Sequence, residues 1–301
     1  MNTMVFQKHL TPLLGGATAA LICAIPQAAN ALSGAQVNNI AREVTALIVS
    51  EYSNGTGHGS GFIFSQDGDS YYVMTNRHVV EGAESVAIGT YEQTAYAAQD
   101  ITILPGADLA VIRFESEADY ELATLAPGET TEGQDVFISG WPAPGSTGQL
   151  IRQFTDGRIS GFLNDPVDGY QMIYTNVTRR GMSGSGVFDA AGRVVGVHGM
   201  GDYVSPDEIQ TEGMSAQEAA SISRMIKPGF NYAIPIQTAM GLMAGEGMYL
   251  SMDVDNSPSP DLAGPYVASE PTEADTIDNI DSVLGTLERV GRIIDRIDRL
   301  F

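Results

Sequence analysis

Three short segments couple a reactive side chain to backbone suited to holding it. In Met74-Thr75-Asn76-Arg77-His78-Val79-Val80 a histidine ends an apolar strand. Asp108 opens the apolar run Leu109-Ala110-Val111-Ile112, where an unpaired carboxylate is costly to bury. In Gly181-Met182-Ser183-Gly184-Ser185-Gly186, glycine lets the chain turn sharply, present the Ser183 hydroxyl and leave the amides of Gly181 and Ser183 aimed at one spot. A hydroxyl, an imidazole and a carboxylate supply a nucleophile, a general base and a group that orients the base. Singly, each has an ordinary explanation: a structural histidine, a turn-starting aspartate, a glycine-serine turn. Their combination is the signal.

The elements that must position them are short and β-forming. Runs at 43–50, 61–65, 71–75, 85–88, 101–104, 109–114, 136–139, 149–154, 172–176, 186–188 and 194–198 are rich in β-branched and aromatic residues, with turn residues between them. Thirty-four glycines and fourteen prolines without a Gly-X-Y period fit the same picture, an all-β fold of one or two antiparallel barrels. Residues 233–236 read as a last strand followed by a short helix to Met243, and 215–225 as a helix capped by Ser215.

With 15 basic against 37 acidic side chains and a net charge of -22, the chain repels phosphate backbones and anionic membranes, which argues against nucleic-acid binding. Residues 1–31 read as a signal peptide: Lys8 and His9 precede an apolar stretch, and Ala29-Asn30-Ala31 offers a small-x-small cleavage site. The only cysteine, Cys23, leaves with that segment, which removes thiolate chemistry and disulfides from the mature chain. The expected location is therefore secreted or periplasmic, with no later apolar run long enough to span a bilayer. Residues 32–41 remain open as a short propeptide.

In the order His78, Asp108, Ser183, with separations of 30 and 75 residues, the three segments resemble the chymotrypsin/trypsin-like serine proteases of bacterial type. The resemblance covers about residues 38–246 and includes Gly59-Ser60-Gly61-Phe62-Ile63 and Val194-Val195-Gly196-Val197-His198-Gly199. It implies two antiparallel six-stranded barrels over 32–246, a cleft between them, and peptide-bond hydrolysis of polypeptide substrates without a cofactor. His78, Asp108 and Ser183 would be catalytic, and the Gly181 and Ser183 amides the oxyanion hole.

Two departures matter. Many family members carry an acid before the nucleophile that receives a newly formed N-terminal amine; here it is Met182, so the loop is either formed without activation or ordered by another contact. Where trypsin-like relatives place an aspartate, Val177 stands, which disfavours cleavage after Lys or Arg. Thr178 and His198, with Gly199 lining the same pocket, resemble the residues with which bacterial glutamyl endopeptidases grip a carboxylate, and imply a preference for Glu or Asp. The competing view makes Thr178 a strand residue and His198 a core histidine.

Metal ligation finds no supporting motif: Asp253-Val254-Asp255 lacks the glycine and closing glutamate of a calcium loop. Residues 247–274 read as an acidic, proline-containing, extended linker. Residues 275–301 read as an amphipathic helix whose stripe includes Ile277, Ile280, Leu284, Leu287 and Ile294, suited either to docking on the protein's own body or to self-association or a partner contact. A non-catalytic peptide- or partner-binding protein of the same fold, and an esterase sharing acyl-enzyme chemistry, are the alternatives.

Overall fold

The computed structural model describes residues 29–144, 149–201, 214–217, 229–262, 264 and 275–277. Helix α1 (Gly34–Val44) starts at a capping box, in which the Ser33 side chain accepts from the Gln36 amide and the Gln36 side chain from the Ser33 amide. It buries Val37, Ala41 and Val44. Because that stripe belongs to the core shared with Phe137 and Phe188, residues 34–44 are a structural part of the fold.

A seven-stranded antiparallel sheet follows. Its strands are β1 (Thr45–Tyr52), β2 (Gly55–Asp67), β3 (Ser70–Thr75), β4 (Ser85–Gly89), β5 (Ala95–Ala97), β6 (Asp100–Leu104) and β7 (Leu109–Glu115), in the order β5-β4-β1-β2-β3-β7-β6. A short helix α2 (Arg77–Val80) leaves the end of β3. The second half closes into a barrel: β8 (Asp135–Gly140), β10 (Gln153–Val167), β11 (Tyr170–Tyr174), β12 (Gly186–Phe188), β13 (Val194–Gly201) and β14 (Asn231–Pro235), in the order β10-β11-β14-β13-β12-β8. Helix α3 (Ile236–Gly245) leaves β14. The structure is thus all-β in the expected sense, with one correction: the first half is an open seven-stranded sheet, and only the second is a closed six-stranded barrel.

Both faces of the first sheet are buried, which accounts for the unbroken apolar run of β7. Ile48, Ile63, Val73, Ile112 and Phe114 pack on one face. Phe62, Phe64, Met74 and Val111 pack on the other, in one core with Phe137, Phe188 and Val197 of the barrel. The two halves therefore share a core, which fixes how they sit against each other.

The segment expected as an extended linker is docked as far as 262. Ser65 bridges to Met252 and Leu125 to Val254, while Met248, Leu250 and Met252 pack on the shared core. Arg193, buried and paired with Asp189, also binds Asp255 at 2.8 Å and Ser257. Backbone pairing and these ion pairs overcome the charge repulsion that composition alone suggested. The helix expected over 275–301 is also corrected at its start: Thr276–Ile277 form strand β15, paired with β9 (Leu150–Ile151). The Asp275 carboxylate is buried between the guanidiniums of Arg42 and Arg152. Positions 278–301, the expected signal peptide up to residue 28, and most of the expected helix 215–225 lie outside the described residues.

Candidate active site

α2 and the start of β7 hold the first two groups. Asn76, between β3 and α2, donates its side-chain amide to the Asp108 carbonyl at 2.9 Å, tying the two segments together. The Asp108 carboxylate accepts the His78 backbone amide at 2.9 Å on one oxygen and meets His78 Nδ1 at 2.5 Å with the other. Burial pushes the pKa of Asp108 up, but hydrogen bonds from His78 and Tyr170 outweigh it and hold the carboxyl below its usual range. The Tyr170 hydroxyl donates to the same oxygen at 2.5 Å. Sequence reasoning missed Tyr170; a tyrosine opening β11 carries no motif.

The loop between β11 and β12 carries Ser183. Its hydroxyl donates to the Gly199 carbonyl at 3.3 Å, and no hydrogen bond joins it to His78 among the described residues. Gly199 is also the residue against which the Tyr170 hydroxyl packs, so Asp108, Tyr170, Gly199 and Ser183 form one connected set across the two halves. Gly181 has φ +91° and its missing Cβ leaves room for His58 Nε2 and the Trp141 carbonyl, so glycine is required there. Neither the Gly181 nor the Ser183 amide has a backbone acceptor among the described residues. Ser185 is fully buried, its hydroxyl without a hydrogen-bond partner among the described residues.

Residues 59–197 match the trypsin-like peptidase domain. The "Probable periplasmic serine endoprotease DegP-like" of Halomonas elongata is 34% identical over 144 residues, 46% of this chain and 28% of that protein. The "Serine protease Do-like HtrA" of Bacillus subtilis is 27% identical over 169 residues, 53% of this chain and 36% of that protein. The chain thus spans about a third of the length of these curated relatives. A crystal structure of a serine endoprotease from Yersinia pestis shares the fold, with TM-score 0.53 and 19% identity over 71% of this chain and 66% of that one. Over just under half of its length, then, the chain is similar to trypsin-like peptidases, among them proteins named as serine endoproteases.

No hydrogen bond joins the expected pocket residues Val177, Thr178, His198 and Gly199 to one another among the described residues. Val177 is 56% exposed. The Thr178 hydroxyl donates to the Asn231 side chain. His198 is buried, its Nδ1 meets the Tyr174 hydroxyl at 2.5 Å, and burial lowers its pKa to about 4, against a raising contact from the Tyr232 backbone. Arg179 and Arg180 are exposed beside the loop. Met182 is fully buried in the barrel core with Val187 and Val195, so the position before Ser183 is an apolar plug.

Proposed function

We propose that this chain is an exported serine endopeptidase in which Ser183 is the nucleophile, His78 the general base and Asp108 the group that orients His78. The observation that carries the reading is the double contact of Asp108 with the ring and the amide of His78. Donation of Nδ1–H to Asp108 leaves Nε2 as the acceptor that a neighbouring hydroxyl needs. Substrate entering the groove turns Ser183 Oγ from the Gly199 carbonyl toward Nε2; such bonds commonly tighten only on binding. As Oγ–C forms, the hydroxyl proton passes to Nε2, and the imidazolium then protonates the amine as C–N breaks. Water reverses the sequence on the acyl-enzyme. The Gly181 and Ser183 amides bind the developing oxyanion.

Export draws on the leader-like segment 1–31, and fits a relative named as a probable periplasmic protease. The preference for Glu or Asp draws on Thr178 and His198 alone. It has the narrowest support, since the ring is neutral above about pH 4 and bonded to Tyr174, and the threonine hydroxyl is engaged by Asn231. The Ser183–Gly199 bond favours one second reading, a non-catalytic peptide-binding protein. Labelling by a fluorophosphonate decides between them: the wild-type protein should react and Ser183→Ala should not. Equal labelling of both, or of neither, would overturn the enzyme reading. A peptide library without enrichment of Glu or Asp before the cut removes the acidic preference alone.

A further inference from the structure

The loop that offers the oxyanion amides is held by a residue of the other half of the molecule. Ser60, on β2, is fully buried, and each of its polar atoms is used. Its hydroxyl accepts the Trp141 amide at 2.8 Å and donates to the Gly181 carbonyl at 2.8 Å. Its amide donates to the Ser183 carbonyl at 2.7 Å, and its own carbonyl accepts the Thr75 hydroxyl at 2.7 Å.

Four successive carbonyls of the loop are thereby engaged. Arg180 accepts from the Ala143 amide at 2.7 Å, Gly181 from the Ser60 hydroxyl, Met182 from the Ser185 amide at 3.0 Å, and Ser183 from the Ser60 amide. A trans peptide is planar, so its N–H points opposite to its carbonyl. Fixing the Arg180 and Met182 carbonyls therefore fixes the N–H groups of Gly181 and Ser183. Ser60 secures the two carbonyls between and after them, and through Trp141 it secures the strand end from which Ala143 reaches Arg180. The buried Met182 offers no carboxylate to a new N-terminal amine.

We infer that Ser60 is the positioning residue of the oxyanion loop, and that it holds the loop in its amide-presenting form without any activating cleavage. The inference rests on the reading of Ser183 as nucleophile. The test is Ser60→Ala, assayed for kcat, KM and affinity for a peptidyl boronate, whose tetrahedral adduct places an oxygen at the two amides. Ile112→Val, a core truncation without contact to the loop, is the comparison for a purely structural loss. Ser60→Ala should lower kcat by roughly 10- to 100-fold, with boronate affinity falling in parallel and KM changed by less than about threefold. Ser60→Cys, close in volume and still a weak donor, should give an intermediate kcat and covers the case in which the alanine variant does not fold. Wild-type-like kcat in Ser60→Ala or Ser60→Cys, or losses that only match Ile112→Val, would overturn the role while leaving Ser183 labelling intact. Absence of wild-type labelling would overturn both proposals.

Discussion

Gly199 and Tyr170 are a matched pair: a Cβ at position 199 would overlap the tyrosine hydroxyl, so the missing side chain is what lets Tyr170 reach the Asp108 carboxylate. The oxygen that faces His78 Nδ1 thus has a second donor, from the barrel. Gly199→Ala should displace either Tyr170 or Asn76, whose side chain also crowds that position, and reduce kcat with little change in KM. Peptidase kinetics check this; an unchanged kcat would mean the space is not needed.

Tyr170→Phe should cost about 1.5–3 kcal/mol of stability at neutral pH, the range for a hydrogen bond to a charged group. The sign of its pH dependence follows from Asp108. Its folded pKa lies below the ordinary value of about 3.9, so its contribution is full above that value and is lost as pH falls through the folded pKa. Without the hydroxyl the folded pKa rises and less is lost on acidification. Urea unfolding of both proteins at pH 7 and pH 3 should show the gap narrowing.

His198 has a dependence of the same sign, in a higher pH window. The folded ring stays neutral down to about pH 4, whereas the unfolded one takes up a proton near 6.5. Stability should therefore fall as pH drops from about 6.5 to 4, by roughly 3 kcal/mol from this group. His198→Gln should show a shallower decline over that window in urea titrations.

Asp275→Asn should leave two buried guanidiniums facing a neutral amide and cost about 3–5 kcal/mol. A lower Tm with retained Ser183 labelling below the new transition is the expected pattern; an unchanged Tm would show that the tail does not contribute to the fold.

Ser185→Ala should be neutral or slightly stabilising and leave kcat unchanged, because the hydroxyl it removes is buried and unpaired. Thermal unfolding and a single peptide assay suffice.

Much of the fold was legible because the strand signals were local: β3, β6, β7, β8, β12 and β13 fall where β-branched runs lie between turn residues. Helix α1 was passed over, although Val37, Ala41 and Val44 recur at helical spacing and Ser33 with Gln36 marks its start. Gly34, Asn38 and Asn39 dilute its propensity, and it follows directly on a leader-like segment. The pairing of His78 with Asp108 was readable from motif and order. Tyr170 and Ser60 were not, because their roles depend on hydrogen bonds between segments 62 and 121 residues apart. The docked course of 248–262 was hidden for a related reason: composition reports the repulsion among acids and not the buried arginine, Arg193, that pairs with Asp255 as well as with Asp189.

That returning segment touches Ser65 in the open sheet, Leu125 in the connection and Arg193 in the barrel within a few residues. It works as a stitch across the seam. A load on the chain between 257 and 262 would therefore reach both halves of the molecule together.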